Sequence, residues 1–363
     1  MSTRQQNYAK DPKGRKLWGD LVIGGQGQGI CLGQAVDQWL TVCAARFKRS
    51  TCSTYRRVAD RHIVGALGGC PVSDLTGEAI SSYLSGRIYG TAEQPPLAPS
   101  TVHSILTVLR GALHYAERQG AQFTGWDALD RPRHCPHETQ VLTAQERARL
   151  EEHILRDLDL TGLGVLLCLY TGLRIGELCA LKWGDISEAG ILTVRRTAQR
   201  IRNPDFGPKD PRRTIVVFDT PKSDSSHRSI PVPSLAQGWL ERLRCQPDSY
   251  LLTGQADHFL EPRTMQSRFK KLLKAAGVRD INFHALRHTF ATDCVQLGFD
   301  PKTLSQILGH SDVGVTLNTY VHPSLSTMRT MMERLNRSGQ AGEDVGGICK
   351  RRANEKRRIM TKK

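Results

Sequence analysis

The sequence predicts a protein that is mainly α with a small antiparallel β-sheet, arranged as two domains. Three observations carry that prediction. Apolar residues recur at helical spacing from Gly33 to Gly120, and again in the segments that follow Thr143. Short runs rich in Val, Ile and Thr stand only between Gly190 and Val232, which is enough for a few strands. Between the two helical blocks, residues 121–141 hold Gly125, Pro132 and Pro136 without periodicity and read as a linker. At 363 residues the chain is long enough to bury two or three substantial cores.

In order along the chain, residues 1–31 carry Arg4, Lys10, Lys13, Arg15 and Lys16, then Gly24, Gly25, Gly27 and Gly29. No strand precedes these glycines and they do not fit G-x-G-x-x-G, so the segment reads as a flexible basic leader. The first domain, 32–120, is expected to be helical throughout. Val36, Trp39, Leu40 and Cys43 mark its first helix. Tyr55, Val58, Ala59 and His62 mark a second, opened by Ser50 or Thr51. Thr76 caps a third, with Ile80, Tyr83 and Leu84 inward. The fourth is the most regular, running from Val102 through Leu106, Leu109 and Leu113 to Ala116 and ending at Gly120. Arg46, Lys48, Arg49, Arg56, Arg57 and Arg61 crowd the first two helices. A solvated face would explain them singly; in so basic a chain they suit phosphate contact.

The second domain, 142–336, opens with Thr143 and Glu146 at capping-box spacing. A buried helix follows from Gly162 to Tyr170, and Leu178 and Leu181 anchor the next one, so that Arg174 sits at the turn between them. Strands are expected at Gly190–Thr197, Arg213–Thr220 and His227–Val232, with 203–211 a polar loop. The run Pro221 to Ser226 is the tight turn of a hairpin formed by the last two strands, which puts Lys222 at its tip. From His284 a helix carries His284 and Arg287 on one face and Leu286, Phe290, Cys294 and Leu297 on another, and Gly298 stops it. Asp300 and Pro301 start a further helix with Leu304, Ile307 and Leu308 inward; Gly309 ends it and His310 follows. Tyr320 comes ten residues later. Beyond it, Pro323 begins a last helix with Leu325, Met328, Met332 and Leu335 on one side. The tail, 337–363, has eight basic residues and one acidic residue from Val345 onward.

Charge is the informative part of the composition. With 51 basic and 35 acidic residues the net charge is +16, an excess that favours polyanions, nucleic acid first among them. Ten cysteines are scattered without a C-x-x-C pair, which argues against a zinc cluster or a disulfide framework and fits a reducing cytoplasm. Cys135 and His137 lie close together, but two candidate ligands do not make a tetrahedral site. The first thirty residues are polar and glycine-rich, unlike a signal peptide, and the longest apolar run, Leu163 to Tyr170, is too short to span a bilayer.

Four short motifs then stand in a definite order: Thr171-Gly172-Leu173-Arg174-Ile175-Gly176-Glu177-Leu178 with Leu181; His284-Ala285-Leu286-Arg287-His288-Thr289-Phe290-Ala291-Thr292; Leu308-Gly309-His310-Ser311; and Thr319-Tyr320. In these the chain resembles the tyrosine recombinase (phage integrase) family, over roughly residues 33 to 335. The resemblance implies a helical core-binding domain followed by an α+β tyrosine recombinase catalytic domain. It also implies a site-specific DNA recombinase, the integrase of a phage or other mobile element. Tyr320 is then the nucleophile that forms a 3′-phosphotyrosine, and Arg174 and Arg287 clamp the phosphate, as planar guanidinium forks suit two oxygens each. Lys222 protonates the departing 5′-oxygen, with Lys209 its nearest competitor. His284 bonds the phosphate or accepts the tyrosine proton, His310 supports the pentavalent state, and Glu177, His288 and His322 are supporting residues.

Because bond energy is kept in the covalent intermediate and two arginines supply positive charge, no cofactor, metal or nucleotide is expected. The expected partners are double-stranded DNA, further copies of the chain in a tetramer linked through the last helix, and an excisionase or host DNA-bending protein, with no membrane. The expected location is the bacterial cytoplasm, on the nucleoid. A chromosome-dimer resolvase, a type IB topoisomerase and a non-catalytic DNA-binding protein of the same ancestry stay open as alternatives.

Overall fold

The computed structural model describes residues 29–91, 95–129, 140–203, 206–208, 210–219 and 227–321, together with Leu325, Met328, Arg329, Met332 and Glu333. Outside the described residues lie most of the basic leader, Cys135, His137, Lys209, Lys222, His322, Pro323, Leu335 and the tail from Val345. The chain divides into two compact units, Met1–His137 with Ile201–Ile215, and Glu138–Arg200 with Val216–Lys363.

In the first unit, α1 (Leu32–Arg46) turns Leu32, Ala35, Val36, Leu40 and Cys43 inward, a stripe of helical period. α2 (Arg49–Val58) starts just before the expected Ser50 or Thr51, with Lys48 at its N-cap. It continues through one wide π-helical turn, Ala59–Ile63, into α3 (Val64–Leu67). Val58, just before this turn, and Ala59 and Ile63, within it, all reach the core. α4 (Gly77–Tyr89) has the expected cap, the Thr76 hydroxyl accepting from the Ala79 N–H at 3.2 Å. α5 (Pro99–Arg118) buries eight residues from Val102 to Ala116 and packs along α1. Gly111 is required at that contact, because a Cβ there would stand 2.2 Å from the Trp39 ring. The expected linker begins too early. Phe123 and Leu129 are buried in this same core, and Trp126 stacks on His114 at 4.1 Å while its Nε1 donates to Glu117. Aromatic cover over the end of α5 thus outweighs the glycine at 125.

The second unit opens as its capping box predicts: Thr143 Oγ1 accepts from the Glu146 N–H, and the Glu146 carboxylate accepts from the Thr143 N–H, at the head of α6 (Ala144–Arg156). α7 (Leu160–Thr171) is apolar all round and ten of its twelve residues are buried, so it runs through the core. It stops at Gly172, with φ +65°, where a Cβ would strike Phe290 and Leu308. α8 (Ile175–Ala180) follows.

The strands depart from expectation. β1 (Ile191–Val194) pairs antiparallel with β4 (Arg228–Pro231), Ile191 opposite Pro231 and Val194 opposite Arg228. β2 (Thr197–Arg202) pairs with β3 (Thr214–Asp219). Instead of one sheet ending in a hairpin of the last two strands, the described residues form two two-stranded sheets, and β3 and β4 belong to different ones. β2 escaped the sequence pattern because Thr197-Ala198-Gln199-Arg200-Ile201-Arg202 is polar for a strand, with only Ala198 and Ile201 buried.

α9 (Ser234–Arg242) and α10 (Pro262–Ala275), neither expected, add Trp239, Leu240, Met265, Phe269 and Leu273 to the core. α11 (His284–Gln296), α12 (Pro301–Leu308) and α13 (Val313–Tyr320) complete it. Leu297 is a further correction: it is 77% exposed rather than inward. α11 ends one residue earlier and Gly298, at φ +80°, turns the chain away, so Cys294 is the last residue of the inward stripe. Beyond Tyr320 the described residues Leu325, Met328 and Met332 are helical and exposed. No helix among the described residues is long and apolar enough to cross a membrane, and the eight described cysteines are all free.

Candidate active site

Four helix ends meet where the motifs do. Arg174 caps the start of α8, Arg287 lies in the first turn of α11, His310 follows the end of α12 at Gly309, and Tyr320 is the last residue of α13. Helix ends suit the task, since their backbone groups have no partner within the helix and can hold polar side chains in place.

Arg287 is 2% exposed. Its Nη1 donates to the Gly172 carbonyl at 2.7 Å and its Nη2 to the Leu308 carbonyl at 2.7 Å, so the guanidinium ties the end of α7 to the end of α12. Nη2 also lies 2.9 Å from His310 Nε2. A guanidinium can only donate, so His310 Nε2 accepts, its proton sits on Nδ1, and Nδ1–H donates to Thr316 Oγ1 at 2.8 Å. Burial and the charges of Arg287 and Arg174 hold the His310 pKa down to about 4, which agrees with a neutral ring. Burial and Arg174 lower Arg287 itself to about 9, still cationic at neutral pH.

Arg174 is half-buried, with 34% of its side chain exposed. Its Nη1 donates to Glu177 Oε1 at 2.7 Å and its Nη2 to the Gly309 carbonyl at 3.2 Å. Three of its five N–H donors are left to point elsewhere. Glu177 is 3% exposed and its carboxyl stays ionised down to about pH 2: burial opposes the charge, and Arg228 and Arg174 more than offset it. Arg228 came to light only here. On β4 it shares the inward face with Ile230, and its burial was legible in principle, since strand side chains alternate faces and Ile230 is plainly an inward one.

The Tyr320 hydroxyl lies 2.8 Å from His288 Nδ1. Burial raises the phenol's pKa against the pull of Arg287 and Arg174, and burial with Arg287 lowers that of His288. A neutral imidazole beside a protonated phenol is the arrangement for taking the phenol's proton, with the phenol donating to Nδ1. His288, taken from sequence as a supporting residue, is therefore the hydroxyl's direct neighbour. His284, the sequence candidate for that contact, packs edge-on against His288 with ring centroids 4.5 Å apart. The spacing held the signal: residues four apart share a helix face. His284 is open to solvent on one side; partial burial and the nearby His288, Arg287 and Arg174 bring its pKa down to about 4. The structure thus brings together five of the six sequence candidates, and Lys222 lies outside the described residues.

Two guanidinium groups and three imidazoles with lowered pKa values surround a partly enclosed phenol, a set able to serve chemistry on a phosphate ester. The chain belongs to the phage integrase family, whose model matches residues 140–326, just over half its length. The N-terminal SAM-like domain of phage integrases matches residues 31–86. Over 220 residues the chain is 31% identical to a tyrosine recombinase XerC-like protein of Caldanaerobacter subterraneus subsp. tengcongensis, covering 55% of this chain and 54% of that one. It is 28% identical over 193 residues to the transposase from transposon Tn916 of Enterococcus faecalis, covering 48% and 45%. With tyrosine recombinase XerD of Corynebacterium glutamicum it shares 28% over 305 residues, covering 80% and 94%. The chain spans about half the length of the first curated relatives it matches. Among solved structures, the Tn1549 transposon integrase in complex with transposon right end DNA superposes with a TM-score of 0.66 at 23% identity, covering 84% of this chain and 99% of that one. A lambda integrase dimer bound to a COC′ core site gives 0.57 at 20%, covering 80% and 77%. At these identities the likeness speaks for the fold.

Proposed function

We propose that this protein is a site-specific DNA recombinase, the integrase of a mobile element, which cuts and rejoins DNA through a 3′-phosphotyrosine. The observation that carries the reading is the Tyr320 hydroxyl bonded to His288 at 2.8 Å, beside the Arg287–His310 pair. Tyr320 Oη attacks the scissile phosphorus and its proton passes to His288 Nδ1. The bond from phosphorus to the 5′-oxygen breaks, and that oxygen takes a proton from Lys222. In the second half a 5′-hydroxyl of another strand gives its proton back to Lys222 and attacks the phosphotyrosine. The bond from phosphorus to Tyr320 Oη breaks, Tyr320 recovers its proton from His288, and the rejoined DNA leaves.

Charge builds on the non-bridging oxygens in the transition state, and Arg174 and Arg287 meet it there, with His310 and His284 adding contacts. Losing one such donor costs roughly 3–4 kcal/mol, about two to three decades of rate. Double-stranded DNA is the substrate, and the +16 charge supports it. Four protomers assemble on paired sites. Leu325, Met328 and Met332, exposed on the last helix, supply an apolar face for that contact. An excisionase or a host DNA-bending protein sets direction.

The test is covalent trapping on nicked duplexes made from the DNA flanking the gene. The native protein gives an adduct that survives a denaturing gel, while Tyr320→Phe binds the same DNA and gives none. An adduct from Tyr320→Phe would move the nucleophile to another tyrosine. Binding without an adduct from the native protein would instead favour a non-catalytic DNA-binding protein. Footprints on the same DNA separate the ends of a mobile element from a chromosomal resolution site.

A further inference from the structure

A third guanidinium stands behind the two that the motifs supply. Arg228 is 7% exposed, and its fork grips Glu177, with Nη1 donating to Oε1 at 3.1 Å and Nη2 to Oε2 at 2.9 Å. Its Nε donates to the Ile307 carbonyl at 2.5 Å. The next two carbonyls, Leu308 and Gly309, are those that receive Arg287 and Arg174. One side chain on β4 is thus fastened both to the carboxylate that holds Arg174 and to the helix end on which both expected clamps rest.

The division of Glu177 is what matters for chemistry. Its Oε1 takes Arg174 Nη1 and its Oε2 takes the Arg174 backbone N–H, so the Arg174 side chain spends a single donor on the carboxylate. A buried carboxylate with only Arg174 for a partner would draw in its guanidinium as a two-pronged pair, since fork-to-fork geometry is the strongest available. Donors spent in that way are lost to the phosphate. By taking two lone pairs of Glu177, Arg228 leaves Arg174 tethered but facing outward.

Resting on the recombinase reading, we propose that Arg228 is a positioning residue for the reaction: it holds Glu177 and the Ile307 carbonyl so that Arg174 presents its free donors to the scissile phosphate, without itself touching DNA.

The experiment compares Arg228→Gln and Arg228→Lys with the native protein on two nicked duplexes. One carries an ordinary scissile phosphate, and the other carries a methyl group in place of a non-bridging oxygen, which removes the charge that Arg174 answers. Binding to a half-site stays at the native level. Adduct formation on the ordinary phosphate falls about 10-fold to 100-fold, the usual cost of losing a group that orients a reacting one. On the uncharged phosphate both variants return close to the native rate. Combining Arg228→Gln with Arg174→Ala is no worse than Arg174→Ala alone, because the first acts through the second. Native-like cutting of the ordinary phosphate, equal loss on both substrates, or losses that add to that of Arg174→Ala would each overturn the proposal. If Arg228→Gln does not fold, Arg228→Lys, which keeps the charge, decides; if neither folds, Arg228 is structural only and the proposal falls. Absence of adduct from the native protein on both duplexes would be a failure of the recombinase reading, separable from these outcomes.

Discussion

The two units bury different kinds of matter. Among described residues from 29 to 129 every buried side chain is apolar or a cysteine, whereas the buried polar and charged side chains begin at Glu146 and include Glu177, Arg228, Arg287, Thr289 and Thr316. Residues 29–129 of the helical unit keep their charges outside an apolar core. The second unit encloses two guanidinium groups, Arg228 and Arg287, and three carboxylates, Glu146, Glu177 and Asp185, a costly act unless each ion is paired and hydrogen-bonded. The difference separates a unit that can offer a surface from one that can hold charge still in a place poor in water, where it acts most strongly on a phosphate.

The largest effect should come from breaking that enclosed balance. Glu177→Gln keeps the shape but leaves Arg228 and Arg174 facing an amide, and should lower stability by about 3–5 kcal/mol at pH 7. The carboxyl pKa falls from an ordinary 4.5 to about 2 on folding, so its contribution is complete above pH 4.5 and lost as pH drops towards 2. That shift corresponds to roughly 3 kcal/mol. Urea denaturation should therefore show the gap between native protein and variant closing as pH falls through that window. Leu109→Ala in the helical unit should cost a comparable amount, about 2–5 kcal/mol, because a fully buried side chain leaves a cavity. Its cost should not change with pH. If both variants lost stability with the same pH dependence, the contrast between the units would be wrong.

The contrast also explains what could be read from sequence. The helices of the first unit follow from apolar spacing, and Thr76, Thr143, Asp300 and Gly309 mark helix ends in the sequence as in the structure. Hydropathy cannot see a buried ion. Alternation with Ile230 marks Arg228 as inward-facing, but its partner Glu177 appears only once the strand that carries it pairs with β1. The strand partners were unreadable for a related reason, since short strands joined by long polar connections carry no register signal of their own. His288 was within reach of the i, i+4 rule, but which of two histidines on one face meets the phenol depends on where α13 lies, and no motif encodes that.

A smaller effect concerns the imidazoles. The His310 pKa drops from the ordinary 6.5 to about 4 on folding, through burial and the charges of Arg287 and Arg174. Between those values the unfolded chain binds more protons than the folded one, so stability is complete above pH 6.5 and declines as pH falls towards 4. His284 adds to this in the same direction, though less than its shift suggests, because its ring is open to solvent. Replacing His310 with Asn should flatten much of the stability slope in that window while leaving the Glu177 slope below it. An unchanged slope would mean that His310 titrates alike in the folded and unfolded chain, and that burial and Arg287 do not hold its ring neutral.

The smallest effect on stability, and the sharpest use of the comparison, lies on the first unit's basic face. Arg57 and Arg61 are exposed on α2 and the wide turn after it, above a core that does not involve them. Changing both to Gln should alter folding stability by no more than about 0.5 kcal/mol, as is usual for surface positions. In the proposed function these arginines meet DNA phosphates, and each phosphate contact releases counterions. Losing two should therefore lower the slope of log affinity against log salt by about 2 and weaken binding to all sequences alike. At saturating DNA the rate of adduct formation should stay native, because the groups around Tyr320 are untouched. Affinity and slope that remained native would make this face a solvated one, and the phosphate contacts would have to be sought elsewhere on the helical unit.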